Sequence, residues 1–207
     1  MTLLDRIILL ITGLVALYTI WRFYNAHQKS PRTAYVLYML SFAVLFVAGV
    51  LLILFGYGLL QSPWVAVVTS LIPLCLATGL VYDLKPEWAK GYSIYAIVGF
   101  VLVAIVYLGG QEQWAKFVMP LVHGVAGLTI VLLPVWAVSQ GVAPGSFLLV
   151  SVGGILIGLG GIALTFLKLG KVFLFFTQDF VFTILAPLLL LMTLAYTWGF
   201  VKRLLAQ

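Results

Sequence analysis

Apolar side chains dominate the chain in seven runs of about twenty residues, separated by short segments that contain most of its charges and turn residues. An α-helix needs roughly 20 apolar residues to cross the hydrocarbon core of a bilayer. The pattern therefore predicts an all-α integral membrane protein built as a seven-transmembrane-helix bundle. The predicted spans are residues 3–24, 34–60, 64–82, 92–109, 117–138, 146–167 and 172–201.

Helix breakers and composition support this division. Pro31, Pro63, Pro86 and Pro144 fall between the runs, where helices can end. With 64% hydrophobic and 8% charged residues in 207, the seven spans use nearly the whole length, which predicts a single transmembrane domain over 1–207. No small-residue cleavage site follows the first run, so we expect it to remain as a helix and not to act as a signal peptide.

The basic residues predict an orientation. Seven of the eleven Lys and Arg fall on the side of the first, third and fifth turns and the C-terminal tail, and four fall on the other side. The positive-inside rule then places the N-terminus outside and the C-terminus in the cytoplasm of a multi-pass protein in a cell membrane. Because these bases are spread over turns, they indicate topology and disfavour a nucleic-acid partner.

Two pairs of runs resemble each other. Residues 41–58 and 146–163 match at seven of eighteen positions, and Pro73 and Pro187 lie near the middle of the third and seventh runs. This suggests a 3-1-3 parallel repeat, an arrangement found among small transporters. The alternative is chance similarity between apolar helices of the same composition.

The sixth run is rich in glycine. Gly154, Gly158 and Gly161 form a stripe on one helix face, which allows another backbone to approach closely. Helix packing within the bundle is the first interpretation of this stripe. Contact with a ligand or a helix of another protein is the alternative.

Ionisable groups inside a span are costly and are functional candidates by default, and two candidates lie well inside the predicted spans. His123 lies about six residues into the fifth span and Asp179 about seven into the seventh, so similar depths would allow contact. With Gln178 beside the aspartate, the pair could form a proton path or bind a quinol headgroup. The alternatives are a polar clasp between helices, or an Asp179 that reaches the outer headgroups.

Other chemistry finds little support. The last span has no lysine near its middle, which disfavours retinal, and His27 falls in a turn, which disfavours bis-histidine haem. The only cysteine, Cys75, has no partner for an intramolecular disulfide and no neighbours at metal-ligand spacing, so no metal site is predicted. No catalytic motif is evident, and we therefore lean against an enzyme.

Three functions remain open. The first is a membrane subunit that acts through partner proteins in an electron-transfer or transport complex, with a site at His123 and Asp179. The second is a small repeat transporter of an apolar or proton-coupled solute. The third is a sensor or receptor-like bundle without an output domain of its own. All three have the lipid bilayer as a partner, and the first also needs other membrane proteins or self-association.

Overall fold

The computed structural model describes residues 1–168 and 177–206, apart from the side chains of residues 112, 163–168, 178 and 179. Within these residues the chain forms seven long α-helices and no strands. All seven are long and apolar enough to cross a membrane, as expected of a multi-pass membrane protein. The helices are α1 (Leu3–Lys29), α2 (Thr33–Phe55), α3 (Pro63–Leu84), α4 (Ala89–Leu108), α5 (Glu112–Ser139), α6 (Leu148–Lys168) and α7 (Gln178–Leu205), with short 3₁₀ turns at Tyr57–Gln61, Pro86–Trp88 and Gly145–Phe147.

Local chemistry sets several helix ends. At the start of α1, the Thr2 hydroxyl accepts from the Asp5 amide at 3.1 Å, and the Asp5 carboxylate accepts from the Thr2 amide at 2.7 Å. α2 ends at Phe55 and not at residue 60, because Gly56 adopts a φ of +74° that stops the helix. α7 begins at Gln178, and the predicted start at residue 172 lies outside the described residues.

The helices pack mainly against their neighbours in sequence. α1, α2, α3, α5, α6 and α7 form a ring that closes between α7 and α1, while α4 packs on α3 and α5. α3 is the most buried of the seven spans. The ring places the end of α3 close enough to the end of α7 for charged side chains to meet there.

The helix contacts are arranged as a parallel repeat would require. Exchanging α1–α3 with α5–α7 maps the α1–α2 contact onto α5–α6, α2–α3 onto α6–α7, and α1–α7 onto α5–α3. At residue level the agreement is partial. The aligned residues Phe42 and Phe147 are both buried, but Gly154 packs tightly against α5 while Gly49 meets no described atom. The repeat therefore stays a prediction.

The two ends of the bundle differ in character. Arg32, Asp83 and Arg203 meet at the end where α3 and α7 finish, which we call the charged end. The opposite end, which we call the apolar end, is held by a cluster of Leu9, Leu52, Tyr57, Leu185 and Ala186. The sequence predicts that the charged end faces the cytoplasm.

Candidate functional site

A buried ion pair joins α3 and α7 at the charged end. Asp83 is the next-to-last residue of α3, and Arg203 lies in the last turn of α7. Arg203 Nη2 is 3.2 Å from Asp83 Oδ2, and the two side chains are only 7% and 5% exposed. The pair therefore fixes the ends of two helices that are far apart in sequence.

Two groups from the start of α2 complete this charged cluster, which consists of Arg32, Tyr38, Asp83 and Arg203. Arg32 Nη1 lies 3.7 Å from Asp83 Oδ1, but its side chain is 47% exposed. The Tyr38 hydroxyl donates to Asp83 Oδ2 at 3.5 Å. One carboxylate thus serves two guanidinium groups, and the cluster carries a net positive charge.

A layer of aromatic rings lies under the charged cluster. It contains Phe23 from α1, Tyr35, Tyr38 and Phe42 from α2, Phe147 from the turn before α6, and Phe200 from α7. Their centroids come as close as 4.6 Å, between Tyr38 and Phe200, and the Arg203 guanidinium sits 4.5 Å above the Phe147 ring. In such apolar surroundings a broken ion pair leaves an uncompensated charge at high cost.

Arg203 is not fully satisfied by these contacts. Its Nε and Nη1 atoms are buried and have no hydrogen-bond partner among the described residues. Arg203 also lines a cavity of about 10 Å³ together with Asp83 and the surrounding aromatic rings. That volume is the room one water molecule needs, so the cavity can hydrate the guanidinium but cannot hold a substrate.

The sequence-predicted polar site is only partly described. His123 lies on α5, and its Nδ1 is buried without a hydrogen bond to any described residue. The side chains of Gln178 and Asp179 lie outside the described residues. Contact between His123 and Asp179 therefore stays a prediction.

The observed starts of α5 and α7 differ from the predicted ones, which changes the positions of His123 and Asp179 along their helices. His123 is the twelfth residue of α5, whereas Asp179 is the second residue of α7, counted from Glu112 and Gln178. At a rise of 1.5 Å per residue, His123 therefore lies farther from the start of its helix than Asp179 does. Among the described residues α7 packs chiefly on α1 and α6, and α5 on α3, α4 and α6.

The glycines of α6 divide between two environments. A side-chain carbon on Gly154 would meet Ile130 and Val131 of α5 at 3.0 Å, so this glycine allows close packing inside the bundle. A side-chain carbon on Gly158 would meet no described atom within 4 Å, and both Gly158 and Gly161 lie on an exposed face. For Gly158 and Gly161, packing within the bundle and contact with a ligand or a helix of another protein both remain open.

Most other buried hydroxyls bond to backbone carbonyls, either in their own helix or in a neighbouring one. Thr12, Thr78 and Thr193 each donate to a carbonyl one turn earlier in their own helix. Ser41 donates to the Ile72 carbonyl across α2 and α3, and Ser151 to the Val131 carbonyl across α6 and α5. The described residues contain no group of three or more potential metal ligands.

Sequence reasoning missed the charged cluster. The predicted third span stopped at residue 82, which left Asp83 in a turn, and Arg32 and Arg203 were interpreted only as topology signals. α3 continues to Leu84, so Asp83 is buried at the helix end. The available signal was an acid and two arginines that the topology already placed at the same end of the bundle.

Comparison with known proteins gives no relative. No protein-family model, curated protein or solved structure matches the chain. The function must therefore be argued from the residues and their contacts.

Proposed function

We propose that this protein is a helical membrane subunit that acts through partner proteins in an electron-transfer or transport complex. The supporting observation is that the described helices pack closely around the buried residues of the charged cluster. The cavity beside Arg203 has room for about one water molecule, most buried hydroxyls donate to backbone carbonyls, and Thr19 and Thr197 bond to each other across α1 and α7. A carrier of polar solutes would need hydrogen-bonding side chains around a site near the midplane.

The charged end offers a surface for a partner. Four exposed bases lie there, namely Lys29, Arg32, Lys90 and Lys202. The Asp83 carboxylate is buried in the charged cluster. Because Asp83 ties α2, α3 and α7 together, two of these bases, Arg32 and Lys202, are carried on a fixed framework. Such a surface suits an acidic face of a neighbouring protein.

The first test is native mass spectrometry of the protein extracted gently from its own membrane. We expect other polypeptides at a fixed stoichiometry. A lone chain or a homo-oligomer would contradict the proposal. The triple charge reversal Lys29→Glu, Lys90→Glu and Lys202→Glu should release the partner, whereas Lys116→Glu, an exposed lysine at the apolar end, should leave it bound.

The second candidate is a small parallel-repeat transporter, and the observation that favours it is the paired set of helix contacts. Here His123 and Asp179 would carry protons, since His123 Nδ1 is buried without a hydrogen bond to a described residue. Proton flux into proteoliposomes, followed with a pH-sensitive dye, tests this function. A transporter should lose flux in Asp179→Asn and His123→Gln while remaining inserted, whereas a structural clasp should lose thermal stability. An absence of flux in the unmodified protein would remove this candidate.

A further inference from the structure

An open groove runs along the first turns of α4, beside α5, at the charged end. Its volume is about 470 Å³, within the range of small-molecule sites. The groove is lined by Glu87, Trp88, Gly91, Tyr92, Tyr95 and Val125. The candidate span that contains these α4 residues begins at Pro86, so the groove lies where the chain enters the membrane and headgroups are found.

The aromatic walls of the groove are held in place. The Tyr92 hydroxyl donates to Thr129 Oγ1 at 2.9 Å, and the Tyr95 hydroxyl donates to the Val122 carbonyl at 2.6 Å. Both bonds cross from α4 to α5, and the two rings meet edge to face at 5.2 Å. These bonds and the ring contact hold Tyr92 and Tyr95 in fixed positions along the groove.

The charged residues in and beside the groove indicate which chemical group it can bind. Glu87 is the one charged side chain among the described residues that line the groove, and it is 58% exposed. A carboxylate combined with several aromatic rings is the chemistry that proteins use to bind ammonium groups. Lys85 stands beside this groove, with its Nζ 3.8 Å from Glu87 Oε1 and 3.7 Å from the centre of the Trp136 ring. The site therefore offers a place for a positive group with a basic residue next to it.

We propose that this groove binds the headgroup of a zwitterionic phospholipid. The lipid ammonium group lies against Glu87 and the ring of Trp88, and the lipid phosphate lies toward Lys85. Gly91 provides the necessary room, since a side-chain carbon at this position would meet no described atom within 4 Å. An anionic lipid with the same phosphate but no ammonium group would gain no attraction from the Glu87 carboxylate.

The test uses the purified protein in nanodiscs made of equal parts phosphatidylethanolamine and phosphatidylglycerol with the same acyl chains. Native mass spectrometry then counts the lipids that stay bound after release from the disc. We expect phosphatidylethanolamine to be retained in preference, and Glu87→Gln to reduce that preference about two- to fivefold, as loss of an exposed cation site implies. Equal retention of both lipids by the unmodified protein would overturn the proposal.

Two matched pairs of variants separate the groove from the general membrane surface. Gly91→Leu fills the groove, and Gly124→Leu makes the same change at another exposed helical glycine with open space. Trp88→Leu removes a groove wall, and Trp198→Leu removes a tryptophan with the same 59% exposure elsewhere on the bundle. Loss of the lipid preference in Gly91→Leu and Trp88→Leu alone supports the site. Equal behaviour of each variant and its control overturns it.

Discussion

The two ends of the bundle are held together by different forces. At the charged end, Asp83 receives Arg203 from α7 and Arg32 from the start of α2, and the three ion pairs among the described residues all lie at this end. At the apolar end, the Tyr57 ring stacks on Phe182 at 5.4 Å, and Asp5 caps its own helix. Burial, with the nearby Asp5 carboxylate as the second cause, raises the pKa of Tyr57 to about 12, so this phenol stays neutral at physiological pH.

The contacts at the charged end depend on direction, whereas those at the apolar end do not. The ion pairs at the charged end require α2, α3 and α7 to keep one relative position, because a displaced partner leaves a charge in apolar surroundings. The apolar packing at the other end can adjust by sliding, since it depends on area and not on direction. We therefore expect the charged end to be the rigid end, on which a partner would find a constant surface.

The largest effect should come from Asp83→Asn. This variant removes the negative charge and leaves Arg203, only 7% exposed, without its ionic partner. Breaking a buried ion pair from one side typically costs 3–5 kcal/mol, and we expect a loss of about that size in the free energy of unfolding. Unfolding in increasing denaturing detergent, followed by circular dichroism, measures the change.

A double variant tests whether charge is the cause. Asp83→Leu combined with Arg203→Met removes both buried charges and should regain most of the stability that Asp83→Asn loses, because no buried unpaired ion remains. If Asp83→Asn unfolds within about 0.5 kcal/mol of the unmodified protein, the variation expected of uninvolved surface sites, the charged end is not held as described.

The next effect concerns the approach of α2 to α3 beneath the charged cluster. A side-chain carbon at Gly79 would lie 2.6 Å from the Tyr38 ring, which is only 1% exposed and cannot move away. Gly79→Ala should therefore destabilise the bundle by about 1–3 kcal/mol. Gly49→Ala on α2 is the matched control, since nothing described lies within 4 Å, and it should be neutral or slightly stabilising. Equal effects in the two variants would exclude the Tyr38 contact as the cause.

The sequence predicted the part of this structure that depends on periodicity and length. Seven apolar runs gave seven helices, because lipid leaves a chain of this composition few other ways to satisfy its backbone. The end of α2 was predicted too late, since a positive φ at Gly56 is a local backbone choice that apolar composition does not reveal.

The charged cluster was missed for a different reason. Asp83 and Arg203 are 120 positions apart in the sequence, and only the closed ring of helices brings their side chains together. Knowing that both fall at the same end of a bundle does not say which helices are neighbours. The pairing of His123 with Asp179 faces the same difficulty and stays a prediction.

A smaller and local effect is expected at the apolar end. Thr2→Ala removes the hydroxyl that accepts from the Asp5 amide, and loss of such a helix cap typically costs about 1 kcal/mol. Because the contact stays within the first turn of α1, amide hydrogen exchange should speed up there and not at the charged end. Faster exchange in α3 or α7 would show that the two ends are coupled more tightly than their contacts indicate.

The smallest effect should come from Arg32→Gln, which removes the outer partner of the charged cluster. Arg32 is 47% exposed and stands 3.7 Å from Asp83, so solvent screens its charge, and exposed ion pairs of this kind contribute about 0.2–1 kcal/mol. The same change at Arg203 should cost several times more, because that guanidinium is buried and gives Asp83 its shorter contact. The Arg32 effect should also fade as salt is raised, while the Arg203 effect should persist. If the two variants lose equal stability and respond equally to salt, burial is not what distinguishes the two arginines, and Asp83 holds α2 as firmly as it holds α7.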